Sequence, residues 1–282
     1  IIPSAVSSVG KEAFSGCSSV ESIALPAGIK EIPDGLFDGC TSLKSVTLLG
    51  NVVTIGKEAF RDCTQISSVL LGNALVSIGG AAFENCVRLS TVSLPASLAY
   101  IGENAFSGCT KLDKIVIPSK ITTLPAGVFD GCTSMESVSL HDGILHIGDR
   151  AFSGCTSLSL SSMPDMLISI GNEAFSGCTS LLSLEFQNTL ARMGNRAFAG
   201  CSALTGVRFY GSQEQWNGLC ADDSFEGCIS LCTVSVLTNI VDDLVPYIKP
   251  NTLTSELWTI DSSLDFNGRT PAVVLGFVEY NP

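Results

Sequence analysis

The chain of 282 residues has little positive charge and no long apolar segment. It carries 15 Lys and Arg residues against 27 Asp and Glu residues, which gives a net charge of −12. Nucleic-acid binding needs a footprint of basic side chains, so this class of partner is excluded. The longest clear apolar run extends only from about Ala272 to Val278, whereas a membrane-spanning helix needs roughly 20 apolar residues. We therefore expect no membrane insertion.

Histidine is also scarce, since His141 and His146 are the only two in the chain. They flank the end of a predicted strand, and neither a nucleophile motif nor a metal-binding motif nor a pair of carboxylates accompanies them. We therefore predict that both histidines are surface residues. We also predict that the chain is not an enzyme and that it has no catalytic residues, no cofactor and no metal site.

An internal repeat of 23 residues dominates the sequence. The unit reads approximately L-x-x-I-G-x-x-A-F-x-G-C-T-x-L-x-x-V-x-L-P. Successive members of its two most regular columns are 23 residues apart, except for a last interval of 27. These columns are Phe14, Phe37, Phe60, Phe83, Phe106, Phe129, Phe152, Phe175, Phe198 and Phe225, and Cys17, Cys40, Cys63, Cys86, Cys109, Cys132, Cys155, Cys178, Cys201 and Cys228.

Each unit, called a coil below, divides into two halves. Residues 43–48 (LKSVTL) alternate around a β-branched residue, which predicts a short strand with Val46 inward and Thr47 outward. Residues 55–60 (IGKEAF) predict a glycine turn followed by a short helical or 3₁₀ turn with Phe60 inward. One coil cannot bury its apolar edge alone, but stacked coils can, with strands pairing in parallel at about 4.8 Å. The repeat therefore predicts a solenoid.

The cysteine column has a structural and a chemical interpretation. In-register side chains of adjacent coils lie about 4.8 Å apart, too far for the Cβ separation that a disulfide needs. A linear ladder also does not supply the four converging ligands of a zinc site. We therefore favour buried free thiols that contact backbone carbonyls. Cys220 and Cys232 fall outside the column, and whether they pair remains open.

The outward strand positions form the candidate ligand-binding face, which is flat, mostly small and hydroxylic. In the coil of residues 158–163, serine occupies the usual inward position and Leu160 an outward one. Either Ser161 is buried and hydrogen-bonded, or the strand bulges; Leu160 and Leu182 would form a small apolar spot. The candidate residues are Ser45, Thr47, Ser68, Leu70, Thr91, Ser93, Lys114, Val116, Ser137, Ser139, Leu160, Leu182, Ser183 and Glu185.

The repeat divides the chain into two regions. Residues 1–236 form about ten coils, and residues 237–282 are predicted to be a cap or the start of a following module. The four-residue insertion near the end of the array contains Trp216, which we expect to cover the last coils. Because Ile1 aligns with the middle of a repeat, we expect a mature or trimmed piece of a longer protein.

The Ile-Gly-x-x-Ala-Phe-x-Gly-Cys and Leu-Pro elements resemble the BspA-like, or treponemal-type, leucine-rich repeats over residues 1–236. The resemblance implies a right-handed leucine-rich-repeat solenoid with a parallel sheet on one face and short turns or 3₁₀/helical segments on the other. It further implies an extracellular or cell-surface protein, secreted by bacteria, with a role in adhesion. The expected partner is a protein or glycan ligand, and the alternative role is an architectural spacer. A matching scaffold does not identify a ligand.

Overall fold

In a computed structural model, the structure describes residues 2–48, 52–160, 162–219, 223–231, 233–239 and 255–258. This part of the chain contains short strands and one helix. In chain order these are β1 (Ser22–Leu25), β2 (Glu31–Ile32), β3 (Ser45–Leu48), β4 (Thr54–Ile55), β5 (Ser68–Val69), β6 (Ser77–Ile78), β7 (Thr91–Val92), β8 (Tyr100–Ile101), β9 (Lys114–Val116), β10 (Thr123–Leu124), β11 (Ser137–Ser139), β12 (His146–Ile147), β13 (Ser169–Ile170), β14 (Ser183–Gln187), β15 (Arg192–Met193), β16 (Gly206–Tyr210), α1 (Gln213–Leu219), β17 (Thr233–Asn239) and β18 (Ser255–Trp258).

The predicted strands form the first ladder, which comprises β1, β3, β5, β7, β9, β11, β14, β16 and β17. Paired strands are parallel and offset by one repeat, as in Val138 opposite Ile115. The β-branched column of the repeat points inward, with Val69 and Val138 both buried, while Ser68 and Ser137 point outward. Both the solenoid and the orientation of the described strands agree with the sequence prediction.

A second parallel ladder lies in the other half of each coil, where the sequence analysis expected only turns and short helical segments. It pairs β2, β4, β6 and β8 in one sheet and β10, β12, β13 and β15 in another. Each strand has two residues, the first outward and the second buried, as in Ser77 and Ile78. After these strands the chain forms turns that bond to the next coil, as in Phe60 N–H to Ala82 O at 2.8 Å.

The core is a continuous stack of phenylalanine rings. Ring centroids of neighbouring coils lie 5.1–5.8 Å apart from Phe14 to Phe225, and each successive pair is stacked. Small residues of the same turn, such as Ala59 and Ala151, are completely buried beside the rings. Burying one such ring contributes about 1.5–3 kcal/mol, so the stack is a large cohesive contribution along the solenoid.

Proline interrupts the second ladder between β8 and β10. In regular coils the glycine after the second strand donates a backbone hydrogen bond to the preceding coil, as Gly102 N–H does to Ile78 O at 2.8 Å. Pro125 occupies this glycine column one coil later and has no N–H to donate to Ile101. β8 and β10 accordingly belong to separate sheets.

The first ladder is interrupted between β3 and β5 and again at the irregular coil, between β11 and β14. Leu160 is only 9% exposed, so the prediction that it faces outward is wrong. No strand forms over residues 158–160, and Leu160 turns inward into the same buried cluster as Leu158 and Met163. Ser161, on which the alternatives of a buried serine and a local bulge depend, lies outside the described residues.

The inserted residues form α1, whose Trp216 is buried, as predicted for a residue that covers the last coils. Its ring lies 5.5 Å from Phe209 and 6.2 Å from Phe225. β17 extends past residue 236 and pairs antiparallel with β18. Most of region 237–282, together with Cys220 and Cys232, lies outside the described residues.

Candidate functional site

The predicted ligand-binding residues lie on the outer surface of the first ladder, apart from Leu160. For Thr47 the structure describes only the backbone, which pairs with Ala24. Leu182 is 61% exposed, but because Leu160 is buried, the two do not form the expected apolar spot. The other predicted positions are exposed or half-exposed: Ser45, Ser68, Leu70, Thr91, Ser93, Lys114, Val116, Ser137, Ser139, Ser183 and Glu185.

The middle of this face combines two exposed apolar side chains with one lysine. Leu70 is 82% exposed and Val116 67% exposed, and Ser93 occupies the coil between them in the same column. Lys114 pairs through its backbone with Thr91, and its exposed ammonium group forms no ion pair with a described residue. We call the outward surface of β5, β7, β9 and β11, together with Leu70 and Ser93 directly after β5 and β7, the strand face.

Cross-coil ion pairs lie on either side of the strand face. Lys44 contacts Glu21 at 2.8 Å, and Arg208 contacts Glu185 at 3.0 Å. All four side chains are well exposed, and exposed pairs of this kind contribute at most about 1 kcal/mol each. Because Lys44 and Arg208 are ion-paired, Lys114 is the cationic side chain of the strand face, among the described residues, that remains available to a ligand.

The sequence analysis missed a second surface, on the second ladder. The residue before each of the six strands β4, β6, β8, β10, β12 and β13 is Val53, Val76, Ala99, Thr122, Leu145 or Ile168, and all are exposed except the half-buried Leu145. We call these six positions the uncharged row. Tyr100 stands beside it and is 57% exposed. The 23-residue spacing of these positions was visible in the sequence, but their common face depends on a ladder that was not predicted.

Both histidines are engaged in local hydrogen bonds. His141 Nε2 lies 3.0 Å from the carbonyl oxygen of Ile121, and its Nδ1 accepts the backbone N–H of Gly143 at 3.1 Å. His146 Nδ1 lies 2.8 Å from Ser169 Oγ across two strands of the second ladder. Both side chains are half-buried. These contacts stabilise turns and strand pairing.

The ten column cysteines are free thiols. In nine of them Sγ donates to the phenylalanine carbonyl of the preceding coil at 3.0–3.2 Å, as the favoured interpretation predicted. Burial raises the pKa of the Cys155 thiol to about 12 and that of Cys109 well above its usual range. Because the thiolate is the reactive form, these groups are poor nucleophiles and poor metal ligands.

Two further searches cover only the part of the chain that the structure describes. Within it, no group of three or more His, Cys, Asp or Glu side chains is arranged to hold a metal ion. Within the same residues, no helix has both the length and the apolar character to cross a bilayer.

Comparisons with known structures find leucine-rich repeat proteins, and the first of them supports the same fold. A leucine-rich repeat protein from Bacteroides ovatus is 28% identical with a TM-score of 0.61, covering 81% of this chain and 64% of its own. A leucine-rich repeat protein from T. pallidum is 30% identical with a TM-score of 0.48, covering 53% of this chain and 70% of its own. A leucine-rich cell surface protein from Faecalibacterium prausnitzii is 23% identical with a TM-score of 0.50, covering 80% of this chain and 62% of its own.

The chain thus spans less than two thirds of the Bacteroides and Faecalibacterium proteins. A search of curated proteins finds no match. The profile of the BspA-type leucine-rich repeat region, in 6 copies, matches residues 1–113 and 100–232. That match includes the phenylalanine and cysteine columns that form the core, and the chain therefore belongs to the BspA-type leucine-rich repeat family.

Proposed function

We propose that this chain is a non-catalytic ligand-binding region of a secreted or cell-surface bacterial protein that acts in adhesion. Membership of the BspA-type family supports a repeat region of this kind. The structurally similar Faecalibacterium prausnitzii protein is itself described as a cell surface protein. The observation that carries the proposal is the exposure of Leu70 and Val116 on the strand face.

The strand face suits an extended protein ligand. Its four strands belong to one sheet, so the backbone beneath its side chains is already ordered and little backbone entropy is lost on binding. Leu70 and Val116 offer apolar contacts about 10 Å apart, two coils along the solenoid. Lys114 adds a positive charge in a chain of net charge −12, which favours a ligand with a carboxylate or sulfate close to an apolar group. No aromatic ring stands among the candidate residues for stacking on a sugar, so a protein ligand is favoured over a glycan.

The test is to screen the soluble chain against matrix proteins, mucins and glycans and then to compare variants on the hit. Leu70→Glu and Val116→Glu should each weaken binding at least tenfold, because both remove an apolar contact and add repulsion. Ile229→Glu is the matched control, since Ile229 is 75% exposed but lies outside the strand face. The absence of any ligand at micromolar concentration, or equal losses in all three variants, would contradict the proposal.

The second candidate is an architectural spacer that holds another domain away from the cell. The unbroken phenylalanine stack favours it, because a continuous core gives a stiff rod whatever its surface carries. Deletion of residues 88–156 removes three coils in register and takes Ser93, Lys114 and Val116 with it. A spacer should keep its function in the shortened protein, whereas a protein that binds its ligand through the strand face should lose adhesion.

A further inference from the structure

The uncharged row is a continuous strip on the second ladder. Backbone hydrogen bonds join successive members, as in Val76 N–H to Val53 O at 2.8 Å and Ile168 N–H to Leu145 O at 2.8 Å. The single break lies in the middle, between Ala99 and Thr122, where β8 and β10 are unpaired. Five steps of about 4.8 Å give the strip a length of about 24 Å.

This strip differs from the rest of the protein in charge. The outward residues of the row and of the adjoining strand positions, from Val53 to Ser169, include no Asp, Glu, Lys or Arg. Along these two columns, charged side chains return at Lys30 and Glu31 on one side and at Arg192 on the other. Within the same coils, Lys120, Asp142 and Asp165 lie two or three residues before the row. The strand face, in contrast, carries Lys114 and is bordered by ion pairs.

The lack of charge along the uncharged row favours a second copy of this chain as its partner. Two copies of a chain with net charge −12 repel each other over most approaches, and a face free of charge is where that repulsion is smallest. Contiguous exposed apolar side chains mark protein contacts rather than solvent-facing surface. Sugar sites combine aromatic rings with several polar groups that fix orientation, and this row has one ring and mostly aliphatic neighbours.

The size pattern along the row is symmetric about its centre. Large residues stand at its two ends and the small Ala99 and Thr122 at its centre, with the exposed Tyr100 beside them. We propose that this face joins two copies of the chain, antiparallel about a two-fold axis between the coils of Ala99 and Thr122. Val53 then faces the partner's Ile168, Val76 faces the partner's Leu145, and Tyr100 covers the partner's Thr123. Such an isologous contact uses the same patch on both copies.

The contact is weak and reversible because it is small. A standard stable interface buries about 800 Å² per partner, roughly a square of 28 Å side, and the uncharged row is about 24 Å long but only a few residues wide. Dimerisation is therefore expected at micromolar or higher concentration, where it would double the number of strand faces presented together.

Sedimentation equilibrium between 1 and 500 µM tests the association. The apparent mass should rise with concentration from 29.5 kDa toward twice that value. Tyr100→Glu and Val76→Glu should each weaken association at least tenfold without changing the thermal melt. Leu70→Glu, which changes an exposed leucine of the strand face, should dimerise like the unmodified chain. A monomer at every concentration, or equal weakening by Leu70→Glu, overturns the proposal and leaves ligand binding at the strand face unaffected.

Cross-linking tests the antiparallel arrangement. The variant with both Val53→Cys and Ile168→Cys should form covalent dimers with a short bismaleimide, because each new thiol faces the other type across the contact. The single variants Val53→Cys and Ile168→Cys, and the unmodified chain, measure the background from the native thiols. A yield from Val53→Cys alone that equals the double variant's would indicate a parallel or unrelated contact and overturn the arrangement.

Discussion

The thiol of Cys132 donates a hydrogen bond to the carbonyl oxygen of Phe106 at 3.2 Å, across the boundary between two coils. The same carbonyl accepts the backbone N–H of Cys109 at 3.2 Å. The column cysteine therefore does more than fill space, because it links each coil to the phenylalanine of the coil before it. This role accounts for a cysteine column without invoking disulfide or metal chemistry.

Replacing Cys132 with alanine should destabilise the solenoid by about 1–2 kcal/mol, since the thiol is fully buried and both its packing and its hydrogen bond are lost. For a domain of this size the melting temperature should fall by a few degrees. Cys17→Ala is the matched control, because Cys17 is half-buried and donates no such bond to a described residue. Equal effects of the two changes would contradict the assigned role.

The free energy of unfolding should decrease as the pH rises above about 8.5. Burial raises the pKa of the Cys86, Cys109 and Cys132 thiols above the usual range, so the folded state holds these protons more tightly than the unfolded state. Their contribution is complete below a pH of about 8.5, the unfolded pKa, and is lost as the pH rises toward the folded pKa. Each thiol should cost about 1.4 kcal/mol per pH unit in that window.

Thermal melts between pH 7 and 11 measure this loss. The control is Cys109→Ala, which removes one of the titrating thiols and should give a shallower decline than the unmodified chain. Lysine and tyrosine also titrate near pH 10, but they are present in both proteins and cancel in the comparison. Parallel declines would show that the thiols do not carry the alkaline instability.

The fold was largely predictable because the repeat acts at every coil. Phe and Cys each recur ten times at a fixed position of the repeat, which indicates that both positions face inward. The Ser and Thr residues of the strands indicate the outward surface. Gly16 and its equivalent Asp62 share a left-handed backbone with φ near 69° and 57°, a conformation that Gly, Asn and Asp adopt more readily than other residues.

The second ladder and the position of Leu160 were not predictable in the same way. A two-residue strand such as Ser77–Ile78 is too short to show alternation, and only the stacking of coils gives it hydrogen-bond partners. Leu160 stands at an outward position by spacing, but leucine at the surface and serine in the core is an unfavourable combination. The chain forms no strand over residues 158–160 and buries Leu160 instead, along a path that depends on local packing rather than on the repeat.

Glycine should be required at position 102, where the turn after the second strand packs closely on the preceding coil. A Cβ atom on Gly102 would lie 2.3 Å from the backbone nitrogen of Gly80, and backbone cannot yield as a flexible side chain does. Gly102→Ala should therefore destabilise the protein by about 3 kcal/mol, at or above the upper end of overpacking costs. Gly10 occupies the same column in the first coil and would meet nothing within 4 Å, so Gly10→Ala should change the melting temperature by no more than about a degree.

Loss of one ring from the phenylalanine stack should divide the solenoid locally. Phe129 is fully buried and lies 5.8 Å from Phe106 and 5.4 Å from Phe152 between ring centroids. Phe129→Ala should cost about 3–5 kcal/mol, and because coils contact only their neighbours, amide hydrogen exchange should accelerate most in the two adjoining coils. Phe14→Ala, at the half-buried end of the stack, should cost less and leave exchange in the central coils unchanged. Uniform acceleration along the chain in Phe129→Ala would instead indicate that the array unfolds as a single unit.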